Sequence, residues 1–141
     1  SSQTTSPRSA AWDGTHIHVS NYANNTVYKY TQAGVYSGQS YGVQVSGCFL
    51  TVADGNIYAM RPDSTIDKFS TTGSFINVLS TASFVSGILG NASNTGIAYD
   101  GSNFWITNTP NQRAYKFTTT KVVGLTSSLS EAGSPLYARI L

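Results

Sequence analysis

One 22-residue sequence occurs twice in this 141-residue chain, and a weaker copy lies between the two. The first, SAAWDGTHIHVSNYANNTVYKY (residues 9–30), aligns without a gap with GIAYDGSNFWITNTPNQRAYKF (residues 96–117). The middle copy is LTVADGNIYAMRPDSTIDKFSTTG, residues 50–73. The Asp-Gly pairs of the three copies are 41 and then 46 residues apart. Such a period indicates supersecondary units that must stack, because no single unit can bury its apolar faces alone.

Each copy predicts short strands joined by tight turns. In the third copy an apolar run ends at Asp100-Gly101, a strong turn signal. The next segment alternates, with Phe104 and Ile106 on one face and Trp105 on the other. The predicted strands are residues 96–99, 103–108, 113–118 and 122–125 in the third copy, and residues 9–12, 16–20, 26–30 and one near Tyr36 in the first.

Four short strands in each repeat of about 40–45 residues are typical of a β-propeller blade. We therefore predict an all-β, β-propeller-like fold. It would have three four-stranded blades plus a C-terminal strand of a fourth, completed by self-association or by missing blades. The predicted divisions are an N-terminal arm (1–8), blade 1 (9–48), blade 2 (49–95), blade 3 (96–134) and a strand of a next blade or an exchanged strand (135–141).

The third copy resembles the blades of NHL-type and related six-bladed, TolB-like propellers. The resemblance is carried by GIAYD (residues 96–100), an apolar strand, and NQR (residues 111–113) before an aromatic-rich strand. It extends over residues 9–124. The proline usual before Gly-Ile-Ala is missing, and Asn21 or Asn108 stands where an acidic residue is common. The resemblance implies propeller architecture and leaves the function open.

Three blades do not close a ring, since single-chain propellers typically have four to eight blades. A symmetric homodimer would close a six-bladed ring. The C-terminal GSPLYARIL (residues 133–141) resembles the start of a fourth copy. Either the chain is part of a longer protein, or this segment docks as a strand onto another subunit and builds polymers. The predicted self-association residues are Tyr137, Ala138, Arg139, Ile140 and Leu141.

Charge and cysteine content exclude several classes. The eight basic and six acidic side chains are too few and too scattered for a phosphate-binding surface, so we expect no nucleic-acid partner. No apolar run approaches the 18 residues of a membrane-spanning helix. The single Cys48 has no internal partner for a disulfide. A surface rich in Ser, Thr, Asn and Tyr suggests an extracellular or virion-surface location.

The sequence provides no convincing catalytic, metal or cofactor motif. His16 and His18 share one face of a strand, but the matching residues of the third copy are Asn103 and Trp105, which cannot complete a metal site. The recurring aspartates precede glycine, where a carboxylate hydrogen-bonds its own turn. Lysines at Lys29, Lys68 and Lys116 each lie beside an aromatic residue and are typical of solvated strand positions. The alternative is that they provide one equivalent cation per blade along a surface or channel. We therefore predict that the chain is not an enzyme.

The aromatic and amide side chains are the better candidates for ligand binding. Aromatic faces stack on the C–H face of a neutral sugar, while amides hydrogen-bond its hydroxyls. The candidate residues are Asn21, Tyr22, Asn24, Trp105, Asn108 and Asn111. Two N-glycosylation sequons begin at Asn24 and Asn91.

From these features we predict a non-enzymatic, self-assembling structural or binding module of an extracellular, fibre or virion surface. The first alternative is a lectin-like carbohydrate binder with one shallow site per blade, which would add glycans as partners. The second alternative is a fragment of a propeller lyase, a class in which some members use histidine.

Overall fold

A computed structural model describes residues 3–44, 48–61, 65–80, 94–109, 112–117, 127–129 and 138–140, and every regular element in these segments is a strand. The strands are β1 (Pro7–Trp12), β2 (Ile17–Asn21), β3 (Thr26–Tyr30), β4 (Tyr36–Gly42), β5 (Phe49–Ala53), β6 (Asn56–Met60), β7 (Thr65–Ser70), β8 (Phe75–Ser80), β9 (Asn94–Tyr99), β10 (Phe104–Asn108), β11 (Arg113–Phe117), β12 (Ser127–Leu129) and β13 (Ala138–Ile140).

The strands form successive antiparallel sheets in chain order. Strands β1–β4 make a four-stranded sheet, the first blade, and β5–β8 make a second four-stranded sheet, the second blade. Strands β9–β11 make a three-stranded sheet, the third blade. The prediction of an all-β, propeller-like fold is confirmed, with the blades in an open array and not in a closed ring. The predicted domain boundaries stay a prediction.

The C-terminal strand β13 pairs with β12 of the same chain, so that Ala138 lies opposite Leu129 and Ile140 opposite Ser127. The strand predicted at residues 122–125 falls outside the described residues, as do Tyr137 and Leu141. Exchange of the C-terminal strand between subunits stays a prediction.

The first strands of the blades lie side by side, β1 against β5 and β5 against β9. Equivalent strand ends therefore meet. At one end, the Tyr99 hydroxyl donates a hydrogen bond to Asp54 Oδ1 over 3.3 Å. At the opposite end, the Arg8 guanidinium carbon lies 4.9 Å from the centre of the Phe49 ring. We call the end with Tyr99 and Asp54 the turn end, because the Asp-Gly turns lie there. We call the end with Arg8 and Phe49 the bulge end, because β1 has a β-bulge there, which is described below.

The first two blades bury an apolar cluster between them. Val27 of the first blade packs with Leu50, Ile57 and Phe69 of the second, and each is at most 4% exposed. Polar side chains of the first blade in this interface are satisfied: Ser20 Oγ donates to the Cys48 carbonyl at 2.8 Å. Similarly, Lys29 Nζ donates to the carbonyl of Thr71 at 3.1 Å. Burial of these polar groups is tolerated because each has a hydrogen-bond partner.

The second and third blades bury another cluster. Phe104 lies between two tyrosines, with its ring centre 4.8 Å from that of Tyr58 and 4.8 Å from that of Tyr99. Ile106 of the third blade and Met60 of the second belong to the same cluster. Alternate residues of β10 thus bury their side chains against the preceding blade, as the period-two pattern predicts.

The described part of the chain contains no helix of the length and apolarity that crossing a membrane requires.

Candidate functional site

A β-bulge in β1 places an arginine at the bulge end. Pro7 pairs with Asn21 and Ser9 with Ser20, so Arg8 is the extra residue between two consecutive partners. A bulge re-aims the side chain of its extra residue, which is why bulges recur beside active sites. The guanidinium carbon of the exposed Arg8 lies 5.5 Å from the centre of the Tyr22 ring and 4.9 Å from that of Phe49.

The Arg8 guanidinium is held by aromatic faces and not by a carboxylate. The ion pairs within the described segments are His18–Asp13 and Arg61–Asp67, and neither involves Arg8. Cation–π contact orients the guanidinium without using its N–H donors. A planar, permanently charged guanidinium whose N–H donors are not used by the aromatic rings can bind a carboxylate or a polarised carbonyl oxygen.

The turn that carries Tyr22 is fixed by backbone and amide hydrogen bonds. Tyr22 N donates to the Ser6 carbonyl at 2.8 Å, and Ser6 N donates to Asn21 Oδ1 at 3.0 Å. Asn21 Nδ2 donates to Asn24 Oδ1 at 2.9 Å, and Asn24 Nδ2 donates to the Tyr28 hydroxyl at 2.8 Å. The two amides thus position the turn, while the Tyr22 ring is 51% exposed beside Arg8.

The structure places Asn21, Tyr22 and Asn24 at one turn beside Arg8, and the prediction that they bind a ligand stays a prediction. Sequence reasoning missed Arg8 because it precedes the repeat and matches no charged residue in the other copies. If the alignment of the first and third copies is extended by one residue toward the N-terminus, Arg8 aligns with Thr95. A charged residue opposite an uncharged one at the edge of the repeat was the only signal that the sequence offered.

The third blade has the same bulge without a cation. Asn94 pairs with Asn108 and Gly96 with Thr107, which leaves Thr95 as the extra residue. Its hydroxyl lies 3.1 Å from that of Thr107 and 3.2 Å from that of Thr109. Asn108 is buried at 2% exposure. Asn111, the remaining amide candidate in this blade, lies outside the described residues, as does the sequon residue Asn91.

Trp105 lies apart from these residues, on the face of the third blade that points away from the second. Its indole Nε1 donates to Asp100 Oδ2 at 2.8 Å, and Lys116 Nζ lies 5.4 Å from the ring centre. The hydrogen bond from Trp105, with those from the backbone of Asn103 and Ser102, holds the pKa of Asp100 well below its usual range. The cluster therefore consists of the ionised carboxylate of Asp100 and the ammonium group of Lys116, both in contact with the indole of Trp105.

His18 is buried and engaged on both nitrogens. Nε2 lies 2.8 Å from Asp13 Oδ2, and Nδ1 lies 3.0 Å from the Tyr41 hydroxyl. Burial lowers the pKa of His18, although Asp13 opposes the shift. Within the described segments, no three His, Cys, Asp or Glu side chains lie close enough together to hold a metal ion. His18 is thus a packed and hydrogen-bonded residue of the first blade.

Comparison with known proteins identifies the class of fold. No family model and no curated protein sequence matches the chain. The crystal structure of Myxococcus xanthus glutaminyl cyclase matches with a TM-score of 0.67 at 6% identity, over 95% of this chain and 67% of that one. A protein of unknown function from Bacteroides caccae matches with a TM-score of 0.51 at 17% identity, over 89% of this chain and 49% of that one. At these identities the comparisons show a shared propeller-like fold.

This finding corrects the functional prediction. We predicted a non-enzymatic structural or binding module, but one of the solved proteins that share the fold, over 95% of this chain, is a glutaminyl cyclase. The narrower prediction that this chain has no catalytic activity stays a prediction, because a likeness at 6% identity shows the fold alone.

Proposed function

We propose that this chain is an enzyme-type propeller that binds an amide substrate at the bulge end, where Arg8 contacts the reacting carbonyl oxygen. The reaction class is the intramolecular aminolysis of an N-terminal glutamine, by analogy with the glutaminyl cyclase that shares the fold. The observation in this chain that carries the proposal is the exposed Arg8 guanidinium, preorganised between Tyr22 and Phe49.

The chemistry of this reaction explains the need for a cation. The α-amine nitrogen attacks the carbon of the side-chain amide, a C–N bond forms, and the bond to the amide nitrogen breaks. One proton passes from the attacking amine to the leaving nitrogen, which departs as ammonia. The carbonyl oxygen carries negative charge between the two steps, and preorganised donors stabilise such an oxyanion.

Arg8 provides that stabilisation and does not transfer the proton. A guanidinium remains protonated in proteins, so it acts as a fixed double donor. Tyr22 adds an exposed aromatic face beside the guanidinium. The bulge of β1 and the amides of Asn21 and Asn24 position both side chains.

The proposal is tested by incubating the purified chain with a glutaminyl dipeptide. Ammonia release is followed with a coupled assay, and the cyclised product is identified by mass spectrometry. We expect turnover above the enzyme-free rate and a loss of at least about 100-fold for Arg8→Gln, the usual effect of removing an oxyanion donor. Lys68→Gln is the matched control, because it removes one positive charge in the second blade, away from Arg8.

Two outcomes contradict the proposal in different ways. If the chain is folded, with the circular dichroism spectrum of a β-sheet protein, and shows no turnover above the enzyme-free rate, the reaction class is excluded. Turnover that is unchanged in Arg8→Gln excludes the site and keeps the reaction. Membership of the NHL-type group, an extracellular or virion-surface location and the use of the sequon at Asn24 remain proposals with no bearing on this test.

A further inference from the structure

The packing of the blades follows one rule. Each blade has a back face, which contacts the preceding blade, and a front face, which contacts the following one. The back face of the third blade carries Ile97, Tyr99, Phe104 and Ile106, which pack on Tyr58 and Met60 of the second blade's front face. The cluster between the first two blades pairs a front face with a back face in the same way.

The back face of the first blade has the same residue pattern and is open. The repeat places Ala10, Trp12, Ile17, Val19 and Tyr28 at the positions of Ile97, Tyr99, Phe104, Ile106 and Tyr115. The strand register confirms that they share a face, since Trp12 pairs with Ile17 and Ala10 with Val19. Phe104 has no exposed surface, whereas its counterpart Ile17 is only half-buried and the neighbouring Trp12 is 44% exposed.

This open face is a continuous apolar and aromatic surface. The Tyr36 ring centre lies 5.9 Å from that of Tyr28 and 5.8 Å from that of Tyr30. Together with Ile17 and Val19, Tyr30 and Tyr36 border a depression of about 700 Å³. Among the described residues, Gln3, Thr4, Gly34 and Val35 also line it. An apolar sheet face of this kind is stable when another layer covers it.

The chain itself carries a surface of the matching kind. The front faces share a cross-strand row of a small residue, a ring and a lysine: Ala11–His18–Lys29, Thr51–Tyr58–Lys68 and Ala98–Trp105–Lys116. In the second blade, Lys68 Nζ lies 5.5 Å from the Tyr58 ring centre, and in the third, Lys116 Nζ lies 5.4 Å from that of Trp105. The first two rows face the following blade, whereas Ala98 at the edge of the third is exposed.

We propose that the open back face of the first blade binds the front face of the third blade of a second copy of this chain. Two such contacts, related by a twofold axis along the propeller, close a six-bladed ring, which lies within the usual range of four to eight blades. The inference rests on blade packing and is independent of the proposed activity.

The test is light scattering behind a sizing column over a range of protein concentrations. We expect a mass of twice the 15.0 kDa chain. Ile17→Lys places a charge on the back face and is expected to raise the dissociation midpoint at least tenfold. Ile76→Lys is the matched control, because Ile76 is an exposed isoleucine (48%) on the outer strand β8 of the second blade, and it should leave the mass unchanged.

A mixing experiment separates loss of the interface from loss of the fold. Trp105→Lys alters only the front face and Ile17→Lys only the back face, so a mixture of the two retains one intact contact. We expect each variant to be monomeric alone and the mixture to form a heterodimer. A monomeric wild type, polymers larger than a dimer, an equal effect of Ile76→Lys, or no heterodimer in the mixture would each overturn the proposal.

Discussion

His18 Nε2 lies 2.8 Å from Oδ2 of Asp13, and the imidazole has no exposed surface. In the third blade, Trp105 Nε1 donates to Asp100 Oδ2 over the same 2.8 Å. A ring N–H therefore satisfies the turn aspartate in both copies of the repeat. In the neutral imidazole with its proton on Nε2, Nδ1 is the acceptor for the Tyr41 hydroxyl, which lies 3.0 Å away.

Stability should fall on mild acidification because of His18. Burial lowers the pKa of His18 from its ordinary value of 6.5, so the unfolded chain binds the extra proton first. Stability then rises with pH between the folded pKa and 6.5 and is lost as pH falls through that window, with a slope of up to about 1.4 kcal/mol per pH unit. Urea unfolding between neutral and mildly acidic pH measures this slope.

His18→Asn should flatten this dependence of stability on pH, and His16→Asn, which changes the neighbouring histidine, should preserve it.

Asp13 contributes to the pH dependence of stability in more acidic solution. Burial raises the pKa of Asp13, but hydrogen bonds from His16, Thr15 and His18 outweigh this, so the pKa lies below 3.8. Its stabilisation is present above 3.8 and lost below. A His18→Asn variant that retains the wild-type slope would contradict the assignment.

The ion pair of Arg61 and Asp67 is expected to tolerate joint removal better than single removal. Asp67 is 1% exposed and accepts two hydrogen bonds from Arg61, at 2.9 and 2.6 Å. Arg61→Leu leaves a buried carboxylate unpaired and should cost about 3–5 kcal/mol. The double variant with Asp67→Leu should recover much of that loss. A double-mutant cycle by urea unfolding gives the coupling, and additive losses would exclude it.

Two equivalent turn glycines should differ in their tolerance of alanine. Gly34 and Gly73 both have positive φ, at +77° and +89°. A Cβ at Gly34 meets no atom within 4 Å, whereas one at Gly73 would lie 2.5 Å from Cδ1 of the Tyr41 ring. Gly34→Ala should cost about 1–2 kcal/mol for the left-handed backbone alone. Gly73→Ala should cost clearly more in thermal unfolding, and equal losses would contradict the contact.

Cys48 should report opening of the interface between the first two blades. The thiol is 1% exposed, and burial raises its pKa to about 11. Because the thiolate is the reactive form, a disulfide reagent should label it slowly in the native protein and rapidly in urea. Val27→Ala, which removes a neighbour in the same cluster, should accelerate native labelling, whereas Ile76→Ala on an exposed strand should not. Fast native labelling would contradict the burial of Cys48.

The sequence predicted the strands and turns well because they are local. Alternation around Phe104 and the Asp-Gly turn before it needed no knowledge of distant residues. The sequence also singled out the turn residues Asn21, Tyr22 and Asn24, whose predicted role in ligand binding stays a prediction. It could not show that the amides of Asn21 and Asn24 are used by the turn itself, since these hydrogen bonds depend on how Ser6 and Tyr28 approach.

The repeat by itself determined the all-β architecture, because a period of four short strands leaves apolar faces that only neighbouring blades can cover. Tertiary structure alone decided which copies of one pattern are buried: His18 has no exposed surface, while Trp105, in the same place of the repeat, is only partly buried. It also decided that Arg8 meets Tyr22 and Phe49, residues 14 and 41 positions away. Contacts between blades join residues far apart in the chain, and no local periodicity encodes them.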